Sequence, residues 1–151
     1  MSTADEVETT LAFWKEHREQ LRQSETQRSI STNFLLVVTA GLSALIVQQK
    51  FSAAVIPLAV FIALLGVYGA LLVAKYYERA TYHLSQARAL TSILTSLGAL
   101  GSDAPLDLQR SEHYREFPIL RRLRLHHLWV SLHLFVAVYG TTLFILCVTL
   151  P

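Results

Sequence analysis

Residues 51–74 read FSAAVIPLAVFIALLGVYGALLVA, a run with no Asp, Glu, Lys or Arg. A helix needs about 20 predominantly apolar residues to cross the hydrocarbon of a bilayer. This run is long enough. Two more uncharged stretches flank it, Ser29–Gln49 and Leu125–Pro151. The chain has 151 residues, of which 52% are apolar and 16% charged; mean hydropathy is +0.39. A soluble helical protein would interleave its charges at helical spacing, whereas here they fall outside the three stretches. The expected fold is all-α, an integral membrane protein with three transmembrane helices.

Four segments follow from this pattern. Residues 1–29 form a polar N-terminal helix, with helical periodicity over about Asp5–Gln27. Ser2 and Thr3 stand three residues before Asp5 and Glu6, the spacing of a capping box. Residues 30–74 form a transmembrane hairpin, Ile30–Gln49 and Ala53–Ala74, turning at Lys50–Ser52. Residues 75–127 are a helical region with a loop at 98–107 and a short helix near Leu108–Glu116. Residues 128–151 hold the third span, in a helix expected to run unbroken from Pro118 to Leu150.

Basic residues set orientation. Twelve of the 13 Lys and Arg lie in the N-terminal segment or the connection between the second and third spans; the remaining one, Lys50, is at the hairpin turn. The N-terminus and the connection are therefore expected in the cytoplasm and the C-terminus outside, in a multi-pass protein of the cell's inner (plasma) membrane. The segment Lys75–Leu97 reads as a long amphipathic cytosolic helix, with Tyr76, Ala80, His83, Ala87, Leu90, Leu94 and Leu97 on one face. Leu11, Trp14 and Leu21 of the N-terminal helix need burial too and offer it a partner.

Several groups of residues are candidates for function. Ala59, Ala63, Gly66 and Ala70, continued by Ala74, form a stripe of small residues that suits close helix approach, either within the hairpin or between subunits of a homo-oligomer; Ala40, Gly41 and Ala44 give the first span a shorter version. Tyr68 and His133 lie at similar depth, about 8–10 Å by helical rise, and are expected to meet in a buried polar layer. That layer serves either as a structural hydrogen bond or as a proton-sensitive site. Arg121, Arg122 and Arg124 stand before the third span, where each contributes about 1 kcal/mol of attraction to an anionic leaflet. With Arg79 and Arg88 they alternatively form a pocket for an anion or nucleotide. Glu112, His113 and Glu116 share a helical turn but are too few for a metal site.

The single cysteine, Cys147, excludes an intrachain disulfide. No G-x-S-x-G, H-E-x-x-H, Walker or Rossmann pattern occurs. The spans lack the ionisable residues of proton pumps and aspartyl proteases, and a net charge of +2 does not point to nucleic acid. A non-enzyme without cofactor or metal is expected.

The N-terminal helix with Trp14 and Arg18, the tight hairpin Ile30–Ala74 and the following Lys75-Tyr76-Tyr77-Glu78-Arg79 resemble the SLATT families. These are two-transmembrane effectors of bacterial nucleotide-signalling conflict systems. The resemblance covers roughly residues 8–97, and the third span is an addition to that pattern. It implies a homo-oligomeric pore-forming or membrane-perturbing effector of antiviral defence, gated through its cytosolic helices by a partner protein or nucleotide signal. The alternative is a non-enzymatic membrane scaffold that recruits a cytosolic partner.

Overall fold

A computed structural model describes residues 2–101 and 104–149, the side chains of 104–107 and of Arg121 excepted. Most of the described residues are helical, and none of them is in a strand. Helix α1 spans Thr3–Gln48, α2 Ile56–Ser96, α3 Ala104–Glu116 and α4 Leu125–Thr149, with 3₁₀ turns at Ala53–Val55 and Leu120–Arg122. Three of these helices carry stretches long and apolar enough to cross a membrane.

The polar N-terminal helix and the first span are one unbroken helix of 46 residues. No Pro or Gly interrupts Gln27–Ser31, so nothing in the sequence breaks it there. The capping box forms as expected: the Ser2 amide donates to Asp5 Oδ2 at 3.0 Å and the Asp5 amide to Ser2 Oγ at 3.2 Å.

Both long helices end in the same device. At the end of α1 the Phe51 amide donates to the Ile46 carbonyl and the Lys50 amide to the Val47 carbonyl. At the end of α2 the Ala99 amide donates to Leu94 and the Gly98 amide to Thr95. This is the Schellman pattern, which needs a left-handed residue after the helix. Gly98 supplies it at φ 75° and Lys50 at φ 48°.

Two expectations are corrected. The third-span helix does not begin at Pro118: Pro118–Arg124 is turn and 3₁₀ structure, Leu123 is extended at ψ 108°, and α4 starts at Leu125. Arg121, Arg122 and Arg124 have no carboxylate within reach along a helix to offset their repulsion. The helix expected from about Leu108 starts earlier, at Ala104, since Pro105 fits a first helical turn. Of the expected 98–107 loop, Ser102 and Asp103 lie outside the described residues.

The chain divides into two compact units. One comprises Met1–Glu25 with Glu78–Arg124, the other Thr26–Tyr77 with Leu125–Pro151. Sequence-contiguous segments are thus regrouped, with α1 and α2 contributing to both units.

Within the first unit, Thr10 and Ser24 are buried and Trp14, His17 and Leu21 half-buried on α1; α2 buries Ala80, Ala87 and Leu94. Trp14 Nε1 donates to Thr91 Oγ1 at 3.0 Å, and Arg79 donates to Gln20 Oε1 at 2.7 Å. The pairing is antiparallel.

Within the second unit, α1, α2, α4 and the 3₁₀ turn before α2 share a core of Ile46, Val55, Ala59, Ile62, Val136, Leu143 and Cys147. The most buried positions recur every three and four residues: Ala59, Ile62, Gly66, Gly69 and Val73 on α2, and His133, Val136, Gly140, Leu143 and Cys147 on α4. That 3.5-residue period is the seam of left-handed helix packing.

Candidate functional site

Helices α2 and α4 approach closely along their glycines. A Cβ built on Gly66 would lie 2.3 Å from the Ala137 amide nitrogen, and one on Gly140 would lie 2.3 Å from that of Ala63. Backbone therefore touches backbone between α2 and α4. The stripe is consumed there: Ala59 and Gly66 are buried, Ala63 and Ala70 half-buried. Its main partner is the third span, where packing within the hairpin had been one expectation. The short α1 stripe behaves differently. Ala40, Gly41 and Ala44 are exposed, and a Cβ on Gly41 would meet nothing within 4 Å.

His133 occupies the space that Gly69 leaves: a Cβ there would fall 2.2 Å from its Nδ1. The ring is 1% exposed, and Nε2 lies 3.1 Å from Thr32 Oγ1 on α1. The expected Tyr68–His133 pair does not form. Tyr68 is 56% exposed on the far side of α2. Rise per residue fixes depth, but neighbouring residues point about 100° apart around a helix, so Gly69, and not Tyr68, faces the imidazole.

One turn away, Arg28 of α1 is buried, with its guanidinium carbon 5.2 Å from the centroid of the Trp129 ring. Arg28–Trp129 and Thr32–His133 share a sequence offset of 101 residues, so α1 and α4 run parallel in register. His126 stacks on Tyr77 at 4.0 Å and 15°. Buried Arg28 Nε, Trp129 Nε1, His126 Nδ1 and Thr39 Oγ1 have no hydrogen-bond partner. In the sequence Arg28 enters only as one of the twelve basic residues that set orientation. Its signal was a lone arginine one position before an uncharged span.

In the first unit His17 Nδ1 and His83 Nδ1 lie 3.0 Å apart. One nitrogen must donate and the other accept, so the contact tolerates one Nδ1 proton and not two. Burial, then the His17 ring and the Arg79 guanidinium, push His83 below its ordinary value, against an opposing pull from Glu16. Arg18 sits over Trp14 at 5.7 Å, beside a shallow depression of about 240 Å³ lined by Trp14, Lys15, Arg18 and Arg22.

The alternative reading, a single pocket of Arg79, Arg88, Arg121, Arg122 and Arg124, does not fit the helix geometry. Arg79 and Arg88, nine positions apart in α2, point in opposite directions. Arg79 bonds Gln20. Arg122 lines a depression with Pro118, Ile119 and Leu123, and Arg124 is exposed. The Arg121 side chain lies outside the described residues. Among the described residues no three His, Cys, Asp or Glu side chains come together as metal ligands.

A scan against protein-family models and searches of curated proteins and of solved structures return no match for this chain.

Proposed function

We propose that the chain is a multi-pass protein of the inner (plasma) membrane, amino end in the cytoplasm and carboxyl end outside, that self-associates and perturbs the bilayer. One observation carries the self-association. Asn33, Val37, Ala40, Gly41, Ala44 and Gln48 fall on one face of α1, and all are exposed. Small residues flanked by amides on a face of a membrane helix are the pattern that associates helices in lipid, by close approach and interhelical hydrogen bonds. The α2 stripe is already occupied and leaves this face as the one for a second copy.

The cytosolic helices receive the gating input in this reading. The basic depression at Trp14, Lys15, Arg18 and Arg22 suits a nucleotide signal or an acidic segment of a partner protein. The setting, bacterial antiviral defence, comes from the SLATT resemblance. The pore forms between subunits in this reading, because α2 and α4 of one subunit pack backbone to backbone and leave no channel between them.

The test is dye leakage from proteoliposomes, paired with crosslinking through cysteines placed at Ala40 and Ala44. The account predicts a crosslinked oligomer and leakage, both lost in Gly41→Ile with the subunit still folded. A second reading, the membrane scaffold, is favoured by a different observation: Leu108, Phe117, Ile119, Leu120 and Leu123 are exposed apolar side chains in the first unit. A bilayer that stays sealed with the crosslinked protein present selects that reading.

A further inference from the structure

Arg28 is 8% exposed, and its Nε has no acceptor. Among the described residues it makes no ion pair. An arginine cannot shed its charge, and a buried charge without a counter-ion is destabilising. The indole of Trp129 softens this through its ring face, yet Trp129 Nε1 is itself a buried donor without an acceptor. His126 Nδ1 is a third unpartnered nitrogen, one turn earlier on α4, in a ring held by its stack on Tyr77. Arg and Trp only donate hydrogen bonds. Arg28 and Trp129 therefore leave two buried donors and a positive charge side by side, and His126 Nδ1, which can accept in one tautomer, bonds neither of them.

Its place in the helix adds to this. Helix α4 begins at Leu125 and has 25 residues, so His126 lies in its first turn and Trp129 in the next. The amides of the first turn have no intrahelical acceptor, and this end carries the positive pole of the helix dipole. A helix of that length is about 37 Å long, more than the roughly 30 Å of hydrocarbon, so its first turns stand at headgroup level.

We propose that Arg28, Trp129 and His126 form a binding site for a phosphate oxyanion, supplied by an anionic phospholipid headgroup. The site rests on α4 crossing the bilayer and is independent of pore formation. A phosphate oxygen accepts from the guanidinium and from the indole N–H, and neutralises the buried charge. The Arg28 side chain must swing off the indole face to admit it.

The full-length chain in nonionic, phosphate-free detergent is titrated with short-chain phosphatidylglycerol, phosphatidylcholine or inorganic phosphate, reading Tm and lipid retention by native mass spectrometry. Phosphatidylglycerol should raise Tm and remain bound, with phosphatidylcholine weaker. Trp129→Phe keeps the ring and removes the donor, and should weaken binding by about tenfold. Arg28→Met should abolish the response while raising Tm in the lipid-free detergent, a sign that a merely structural arginine would not give. Equal stabilisation by inorganic phosphate supports the same donors with a soluble source. No Tm response to either anion, or an undiminished response in Trp129→Phe, overturns the site, even where Arg28→Met fails to fold. Leakage from proteoliposomes of either composition reports separately on the proposed function.

Discussion

At Gly66 and Gly140 a single added methyl group would meet backbone, and backbone cannot rotate out of the way. The contacts, 2.3 Å to Ala137 N and 2.3 Å to Ala63 N, require α2 and α4 to separate. Overpacking of this kind costs about 1–3 kcal/mol. Gly66→Ala and Gly140→Ala are each predicted to lower stability by that amount in detergent unfolding, whereas Gly41→Ala, in open space, leaves subunit stability nearly unchanged. His83 carries a prediction about pH. Its folded value lies below the usual 6.5, so the unfolded chain binds more protons between the two values. The contribution of the neutral ring is complete above about pH 6.5 and is lost as pH falls through the folded value. Acidification from pH 7.5 to 5 should therefore loosen the α1–α2 pairing of the first unit, read as faster amide exchange around His17 and His83. His83→Gln should flatten that dependence.

At the scale of elements, the two Schellman ends differ in cost. Gly98 takes positive φ freely, while Lys50 at φ 48° and Phe51 at φ 58° do not. A left-handed conformation costs a non-glycine residue about 1–2 kcal/mol. Lys50→Gly is predicted to stabilise the hairpin by about 1 kcal/mol in equilibrium unfolding, less the greater entropy glycine has when unfolded. The elements also show what could be read from the chain alone. The spans were legible because a bilayer excludes charge, so absence of charge marks them directly. The residues Ala80, Ala87 and Leu94 are buried where their spacing placed them, since seven-residue recurrence keeps one face of a helix together. Azimuth was not legible. Tyr68 and Gly69 have the same depth, and only packing between helices determines which of them faces His133. The break before Leu125 was missed because Pro118 also suits a helix start. Arg28 was missed because its burial depends on Trp129, distant in sequence and brought close by the parallel register of α1 and α4.

At the scale of the molecule, three helices carry uncharged stretches, two of them packed along small residues, and much of the outward surface of these stretches is large and apolar: Phe34, Val37, Leu64, Leu71, Phe135 and Val138 are each more than half exposed. In water that surface would be an aggregation liability; in lipid it is solvated by the tails. Three crossings would put the two ends on opposite sides, and the proposed orientation, amino end inside, rests on the distribution of basic residues. Single cysteines at Ser2, Ser52, Ser96 and Pro151, in a Cys147→Ala chain in intact cells, test this directly with a membrane-impermeant maleimide. The account predicts labelling from outside at positions 52 and 151, and at 2 and 96 only after the membrane is opened. Labelling of positions 2 and 151 from the same side, or of all four without opening the membrane, would contradict it.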